Sequence, residues 1–273
     1  NNFAVVRYNT DGSLDTSFGA GPATNTLGAA VAYTENASAI ALDASVAVFD
    51  ADLAALNGGA GNYSGASVTL ARAGGSAAED VFSARGNLAF TGGNAVLSGT
   101  TVGTVSNTGG TLTISFNANA TQARVNEVLS SIGYANTSDA PPASVQIGWS
   151  FSDGNTSAQG SGGALTAVGS TMVNITAVND APVNTVPAAQ GVNQNASLTF
   201  NAANGNLVSV SDVDAGAGVL QVSLTASQGT LTLSGTAGLG FTTGDGTADA
   251  ALVFSGTLAA INAALNDLAY APT

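Results

Sequence analysis

Thr121-Gln122-Ala123-Arg124-Val125-Asn126-Glu127-Val128-Leu129-Ser130-Ser131-Ile132-Gly133-Tyr134 can be laid directly on Thr257-Leu258-Ala259-Ala260-Ile261-Asn262-Ala263-Ala264-Leu265-Asn266-Asp267-Leu268-Ala269-Tyr270. In the first stretch Val125, Val128, Leu129 and Ile132 fall at i, i+3, i+4 and i+7. That spacing predicts a short helix over Thr121–Ile132, with Gly133 available to end it. Leu258, Ile261, Leu265 and Leu268 predict a sister helix over Thr257–Leu268. Val125, Leu129, Ile132 and Tyr134 each stand 136 residues before Ile261, Leu265, Leu268 and Tyr270. Upstream, Asp50-Ala51-Asp52 is echoed by Asp212-Val213-Asp214. A chain that resembles itself at this distance is two copies of one plan.

Outside these helices the pattern has period two, as in half-buried strands. In Ser144–Phe151, Val145, Ile147, Trp149 and Phe151 share one face, and Gln146, Gly148 and Ser150 take the other. Val68–Leu70, Leu112–Phe116, Thr171–Val178, Leu207–Val210, Leu220–Leu224 and Leu231–Leu233 alternate similarly, separated by turns rich in Gly, Asn and Asp. The fold class is therefore all-β, in two modules with one short helix each. A leader occupies residues 1–27, with Phe3–Tyr8 as a strand before a turn at Asp11-Gly12. Module 1 spans 28–181, module 2 spans 182–273, and Asn179-Asp180-Ala181-Pro182 is the junction. After Tyr134 module 1 continues through two more strands, whereas only three residues follow Tyr270. Module 2 is expected to lack its last two strands and to be completed by further chain or by a neighbour.

Composition narrows the function. The 273 residues contain 17 acids against four basic residues, all Arg, for a net charge of −13. Phosphate binding needs a basic face, so nucleic acid is an unsuitable partner, and anionic membrane surfaces are equally unsuitable. No run of about 20 apolar residues is present to span a bilayer as a helix. With neither Cys nor His, disulfides, thiolate nucleophiles and imidazole bases are excluded. Excess carboxylate suits divalent cations, and it equally suits simple acidic solubility.

Tyr33-Thr34-Glu35-Asn36, Asp50-Ala51-Asp52, Glu79-Asp80-Val81-Phe82, Tyr134–Asp139, Asp153-Gly154-Asn155 and Val178–Pro182 follow one another along module 1. In this order they resemble the cadherin-like repeats of large extracellular bacterial adhesins. Ser209–Gly216 and Phe241–Asp249 resemble a sister type of the same repeat. The leader is similar to a single delta-sixty repeat. The resemblance implies tandem cadherin- or Ig-like β-sandwich modules, secretion to the cell surface, and calcium as the bound ion. One departure stands out. Asn193-Gln194-Asn195 occupies the place where the sister type carries Asn-Glu-Asp, which predicts weaker calcium binding by module 2.

Calcium takes six to eight oxygens at roughly 2.3–2.6 Å. An Asp-x-Asp pair in an extended segment sets both carboxylates on one side. Glu35, Asp50, Asp52 and Asp80 are expected to converge at one pole of module 1. The resemblance implies that Asp153, Asn155, Asn179 and Asp180 meet Asp212 and Asp214 at the junction. The competing reading is that these acids cap turns and keep strand ends wet. Gly58–Asn62 is read as a turn and Trp149 as a core residue. No residue is assigned a catalytic role.

The expected function is a calcium-stiffened stalk in an extracellular adhesin or matrix protein, with neighbouring modules as partners and its surface or matrix ligand open. The rival is a self-assembling filament subunit whose module 2 receives Phe3–Tyr8 from a second copy. A carbohydrate-binding module would need an exposed aromatic cluster, which the sequence does not display.

Overall fold

In the computed structural model, residues 27, 28, 30–154 and 164–273 are described, and they are mostly β. The leader strand expected at Phe3–Tyr8 and the candidate ligand Asn155 lie outside the described residues. The chain divides into two compact units after Val178.

The described part of unit 1 runs β1 (Ala30–Thr34), β2 (Ile40–Ala41), α1 (Ala51–Ala55), a 3-10 turn (Asn57–Gly59), β3 (Ser67–Arg72), β4 (Asp80–Ala84), β5 (Leu88–Thr91), β6 (Asn94–Leu97), β7 (Thr100–Thr108), β8 (Thr111–Phe116), α2 (Gln122–Ser130), β9 (Ile132–Asn136), β10 (Ser144–Ser152) and β11 (Thr166–Thr176). Its larger sheet has the order β1-β11-β10-β3-β8-β7-β6-β5, and its smaller sheet the order β2-β9-β4. All neighbours are antiparallel except β1 and β11, which run parallel with Ala30 opposite Met172 and Thr34 opposite Thr176.

The alternation in β10 works as the sequence predicts. Val145, Ile147, Trp149 and Phe151 are buried, and the register sets Trp149 opposite Leu70 and Phe151 opposite Val68. The Trp149 indole N–H donates to Thr171 Oγ1 at 3.1 Å, so the ring is buried with its polar atom satisfied. The smaller sheet contributes Phe82 and Tyr134 to the same core. Tyr134 meets Tyr33 of β1 edge to face, ring centres 6.0 Å apart.

Helix α2 begins where expected, with the Thr121 side chain accepting the N–H of Arg124. It ends at Ser130, and Ile132 and Gly133 belong to β9. Gly133 is therefore not a helix stop. A Cβ there would come within 2.6 Å of Ser83 Oγ and 2.7 Å of Arg85 Cδ, so the glycine lets β4 and β9 approach.

The expectation of one helix per module is corrected in unit 1, where α1 is a second one. Five residues are too few to display a 3.6-residue period, and Asp50 supplies the start. Its Oδ1 accepts the N–H groups of Asp52 and Leu53, both at 3.0 Å. Tyr63 links this turn to α2, its hydroxyl donating to Gln122 Oε1 and accepting the N–H of Asp50. Burial pushes the Tyr63 phenol up from 10.0 to about 12, with the nearby Asp50 carboxylate adding to the effect. A folded pKa above the unfolded one means stability that is full below pH 10 and lost as pH climbs through 12. In urea titrations between those pH values, the Tyr63→Phe chain should lose less stability than the wild type. Equal losses would show that Tyr63 does not titrate against folding.

Unit 2 comprises β12 (Val183–Thr185), β13 (Leu198–Phe200), β14 (Ser209–Ser211), β15 (Val219–Thr225), β16 (Thr230–Thr232), β17 (Leu239–Thr243), β18 (Ala251–Thr257), α3 (Leu258–Leu265) and β19 (Leu268–Ala271). Its sheets have the orders β12-β14, β13-β19-β16 and β15-β18-β17. Leu252, Phe254, Ile261, Leu265 and Leu268 form the centre of its core.

The two units share a plan. β13-β19-β16 matches β2-β9-β4, β15-β18-β17 matches β3-β8-β7, and Thr257 caps α3 as Thr121 caps α2. One polar pair belongs to the repeat as well. Asn126 Oδ1 accepts the N–H of Val48 at 3.0 Å, and Asn262 Oδ1 accepts that of Val210 at 2.9 Å. Asn262 also donates to the Val210 carbonyl at 2.8 Å. In each unit the helix thereby holds the backbone two residues before the Asp-x-Asp segment.

Candidate metal centre

Glu35 follows β1 directly, and its own N–H continues the ladder by donating to the Thr176 carbonyl at 3.0 Å. Asn36 then takes a left-handed φ of 61°, which turns the chain back so that the Ala37 N–H reaches Thr34. This fixed turn holds the Glu35 side chain at 3% exposure. Its Oε2 accepts the N–H of Val178 at 2.8 Å. Its Oε1 is buried and has no hydrogen-bond partner among the described residues. A carboxylate oxygen of Asp139, in the loop after β9, lies within 4.8 Å of one of the Glu35 carboxylate oxygens.

A buried carboxylate with one unpaired oxygen and a second carboxylate this near repel each other, and a cation between them would relieve that repulsion. Oxygens on opposite sides of one calcium ion are about 5 Å apart, given bond lengths of roughly 2.3–2.6 Å. The two carboxylates could hold a metal ion.

Asp50, Asp52 and Asp80 do not join Glu35 and Asp139 in a group of metal-ligating oxygens among the described residues. Asp50 and Asp52 do not lie together in one extended segment. Asp50 is the N-cap of α1, and Asp52 lies in its first turn. This corrects the expectation that period-two spacing aligns their carboxylates: in a helix, residues two apart point to different sides.

Asp80 is also corrected. Arg72 holds it through Nε at 2.7 Å and Nη2 at 2.8 Å, while the Tyr134 hydroxyl donates to Oδ1 at 2.6 Å and Asn136 Nδ2 at 3.0 Å. A carboxylate with its charge neutralised and its lone pairs occupied is not available to an ion. Burial and the bond to Asp80 both raise the Tyr134 phenol well above the ordinary tyrosine range. Asp153 accepts the N–H of Leu165 at 2.9 Å and braces the base of the β10–β11 connection.

In unit 2, Asp212 Oδ1 accepts the N–H groups of Asp214 and Ala215 at 3.3 and 2.9 Å, forming an Asx turn. Asp214 Oδ2 accepts the N–H of Asp180 at 3.0 Å, and its Oδ1 is buried without a partner among the described residues. Asn179 donates its side-chain amide to the Asp180 carbonyl. Asp180, Asp212 and Asp214 thus adjoin one another. Asn195 has the left-handed φ of its counterpart Asn36, at 64°, so Gln194 occupies the Glu35 position. Asp249 was not singled out as a ligand, and Oδ2 accepts the N–H groups of Asp245, Gly246 and Thr247 at 3.0, 2.8 and 3.1 Å. It organises a turn.

Asp139 is a candidate ligand absent from the residues expected from sequence. It closes the Tyr134–Asp139 stretch that carries part of the family resemblance. Comparison with protein-family models, with curated proteins and with solved structures found no match.

Proposed function

We propose that the chain is a mechanical segment of an extracellular protein, built from tandem cadherin-like β-sandwich modules and stiffened by calcium at the Glu35 pole of unit 1. The observation that carries this reading is the buried Glu35 carboxylate, whose Oε1 has no partner among the described residues, with a carboxylate oxygen of Asp139 within 4.8 Å of one of its oxygens. The repeated sheet order of the two units supports the modular part of it. Calcium would supply charge neutralisation here. The chain's own residues hold the carboxylates in place: the β1–β11 ladder sets Glu35, and the Val178 N–H fixes one of its oxygens. Since Val178 leads straight into Asn179, an ion at this pole stiffens the segment from which the next unit hangs.

The task is structural, not enzymatic. Among the described residues Asp50 caps a helix, Asp212 and Asp249 organise turns, and Asp80 pairs with Arg72. No described helix is long and apolar enough to cross a membrane. Neighbouring modules or copies of the chain, and a surface or matrix ligand, are the partners this reading supplies. Unit 2, with Gln194 in place of the glutamate, is the weaker calcium binder.

The test is a thermal melt of the full chain. The melting temperature should rise in millimolar calcium and return to its starting value with chelator. Identical melts in both would remove calcium from the account.

A further inference from the structure

Helix α1 runs into Asn57-Gly58, one of four Asn–Gly or Asp–Gly pairs among the described residues. The others are Asp153-Gly154, Asn204-Gly205 and Asp245-Gly246. Backbone shape selects the pair here. Asn57 and Gly58 have left-handed φ of 54° and 69°, and the Gly59 N–H closes the turn on the Leu56 carbonyl at 3.1 Å. Two successive positive φ values are those of a type I′ turn, which favours Asn-Gly.

The same pair is open to attack by its own backbone. The nitrogen of the residue after an asparagine can bond to the side-chain Cγ. The Cγ–Nδ2 bond then breaks, and the amide leaves as ammonia with the proton that the backbone nitrogen gives up. The cyclic succinimide takes up one water at either carbonyl, yielding aspartate or its β-linked isomer. Water is the only reagent consumed and nothing is oxidised or reduced. Glycine at the second position leaves the approach unhindered, having no Cβ.

The four pairs differ in the attacking nitrogen. The N–H of Gly205 donates to the Ala202 carbonyl at 3.1 Å, that of Gly154 to Ser152 Oγ at 3.3 Å, and that of Gly246 to Asp249 Oδ2 at 2.8 Å. The Gly58 N–H makes no hydrogen bond among the described residues. Asn57 and Gly58 are both exposed, and a Cβ at Gly58 or Gly59 would meet nothing within 4 Å, so the turn has room to rearrange. The side-chain amides do not decide between the two asparagines. That of Asn57 donates to the Gly61 carbonyl and that of Asn204 to the Thr199 carbonyl, both at 3.1 Å.

We propose that Asn57 is a site of spontaneous deamidation, that Asn204 is spared, and that the conversion loosens the link between α1 and α2. A carboxylate at position 57 would face the Gly61 carbonyl where the amide now donates, turning a hydrogen bond into a repulsion. Gly61 is pressed against the start of α2, since a Cβ there would come within 2.9 Å of the Gln122 nitrogen. The Gln122 N–H in turn donates to the Ala60 carbonyl at 3.1 Å. A change at position 57 therefore reaches α2 through Ala60 and Gly61.

In the experiment the full chain is held in mildly alkaline buffer, digested at intervals, and the peptides bearing Asn57 and Asn204 are followed by mass spectrometry. Asn57 should convert about tenfold faster than Asn204, the factor that one net hydrogen bond on the attacking nitrogen supplies. Its product should separate into two isomers of equal mass, as a succinimide requires. In guanidinium chloride, with the fold removed, the two pairs should convert at similar rates. In an Asn57→Asp chain, hydrogen exchange at the Gln122 amide should be faster than in wild type. Equal conversion of the two asparagines in the folded chain, a contrast that survives in guanidinium chloride, or a single product at position 57 would overturn the site. An unchanged Gln122 amide would overturn the loosening.

Discussion

Replacing Arg72 with methionine should lower the stability of unit 1 by about 3–5 kcal/mol, the usual cost of removing one partner of a buried ion pair. Asp80 is the reason. Its side chain is fully buried, whereas that of Arg72 is 23% exposed, so the cation can be deleted without opening the core but the anion is left inside it. The Tyr134 hydroxyl and the Asn136 amide still donate to Asp80 in the variant, but neither supplies charge. Adding Asp80→Asn to Arg72→Met should recover part of the loss, since an amide keeps hydrogen-bonding capacity without needing a counter-ion. Urea unfolding of the single and double variants measures both effects. A single variant within 1 kcal/mol of wild type would show that the pair contributes little, as exposed pairs do, typically about 0–1 kcal/mol.

Glu35→Gln should change stability in opposite directions according to the metal present. In chelator the substitution removes a buried, unpaired anionic oxygen beside Asp139, so the variant should be as stable as wild type or more so. With calcium at a hundred times its dissociation constant, a ligand bound only to the folded state adds about 2.7 kcal/mol. The wild type should gain that amount and the variant little of it. The crossing of the two stability orders separates a metal ligand from a residue that merely accepts the Val178 N–H. Loss of stability in both conditions alike would assign Glu35 to the hydrogen bond alone.

Much of the fold was legible because buried positions repeat. Val125, Leu129 and Ile132 are buried as Ile261, Leu265 and Leu268 are, and β10 alternates as its sequence says. The parts that were not legible have definite physical causes. Helix α1 is too short to show a period, and Asp50-Ala51-Asp52 looks the same whether it binds an ion or caps a helix, because both uses need a carboxylate oxygen facing positive charge. The Arg72–Asp80 pair joins strands of two different sheets, a proximity that no local spacing encodes. Asn126 and Asn262 lay in full view in the aligned helices, but an apolar periodicity passes over polar positions. Glu35, expected as a metal ligand, stands at the turn after β1. Its partner Asp139 comes from a distant loop, brought near by the fold of β9 and β10 around the β1–β11 ladder.

The most direct measurement is calorimetric titration of calcium into the full chain and into a Glu35→Gln/Asp139→Asn variant, both first stripped with chelator. Circular dichroism of the two chains beforehand establishes that both are folded. The wild type should bind calcium with a saturable heat, and the variant should lose the tightest phase of that binding. A wild type that binds no calcium, or a variant whose isotherm overlays it, would contradict a calcium site at Glu35.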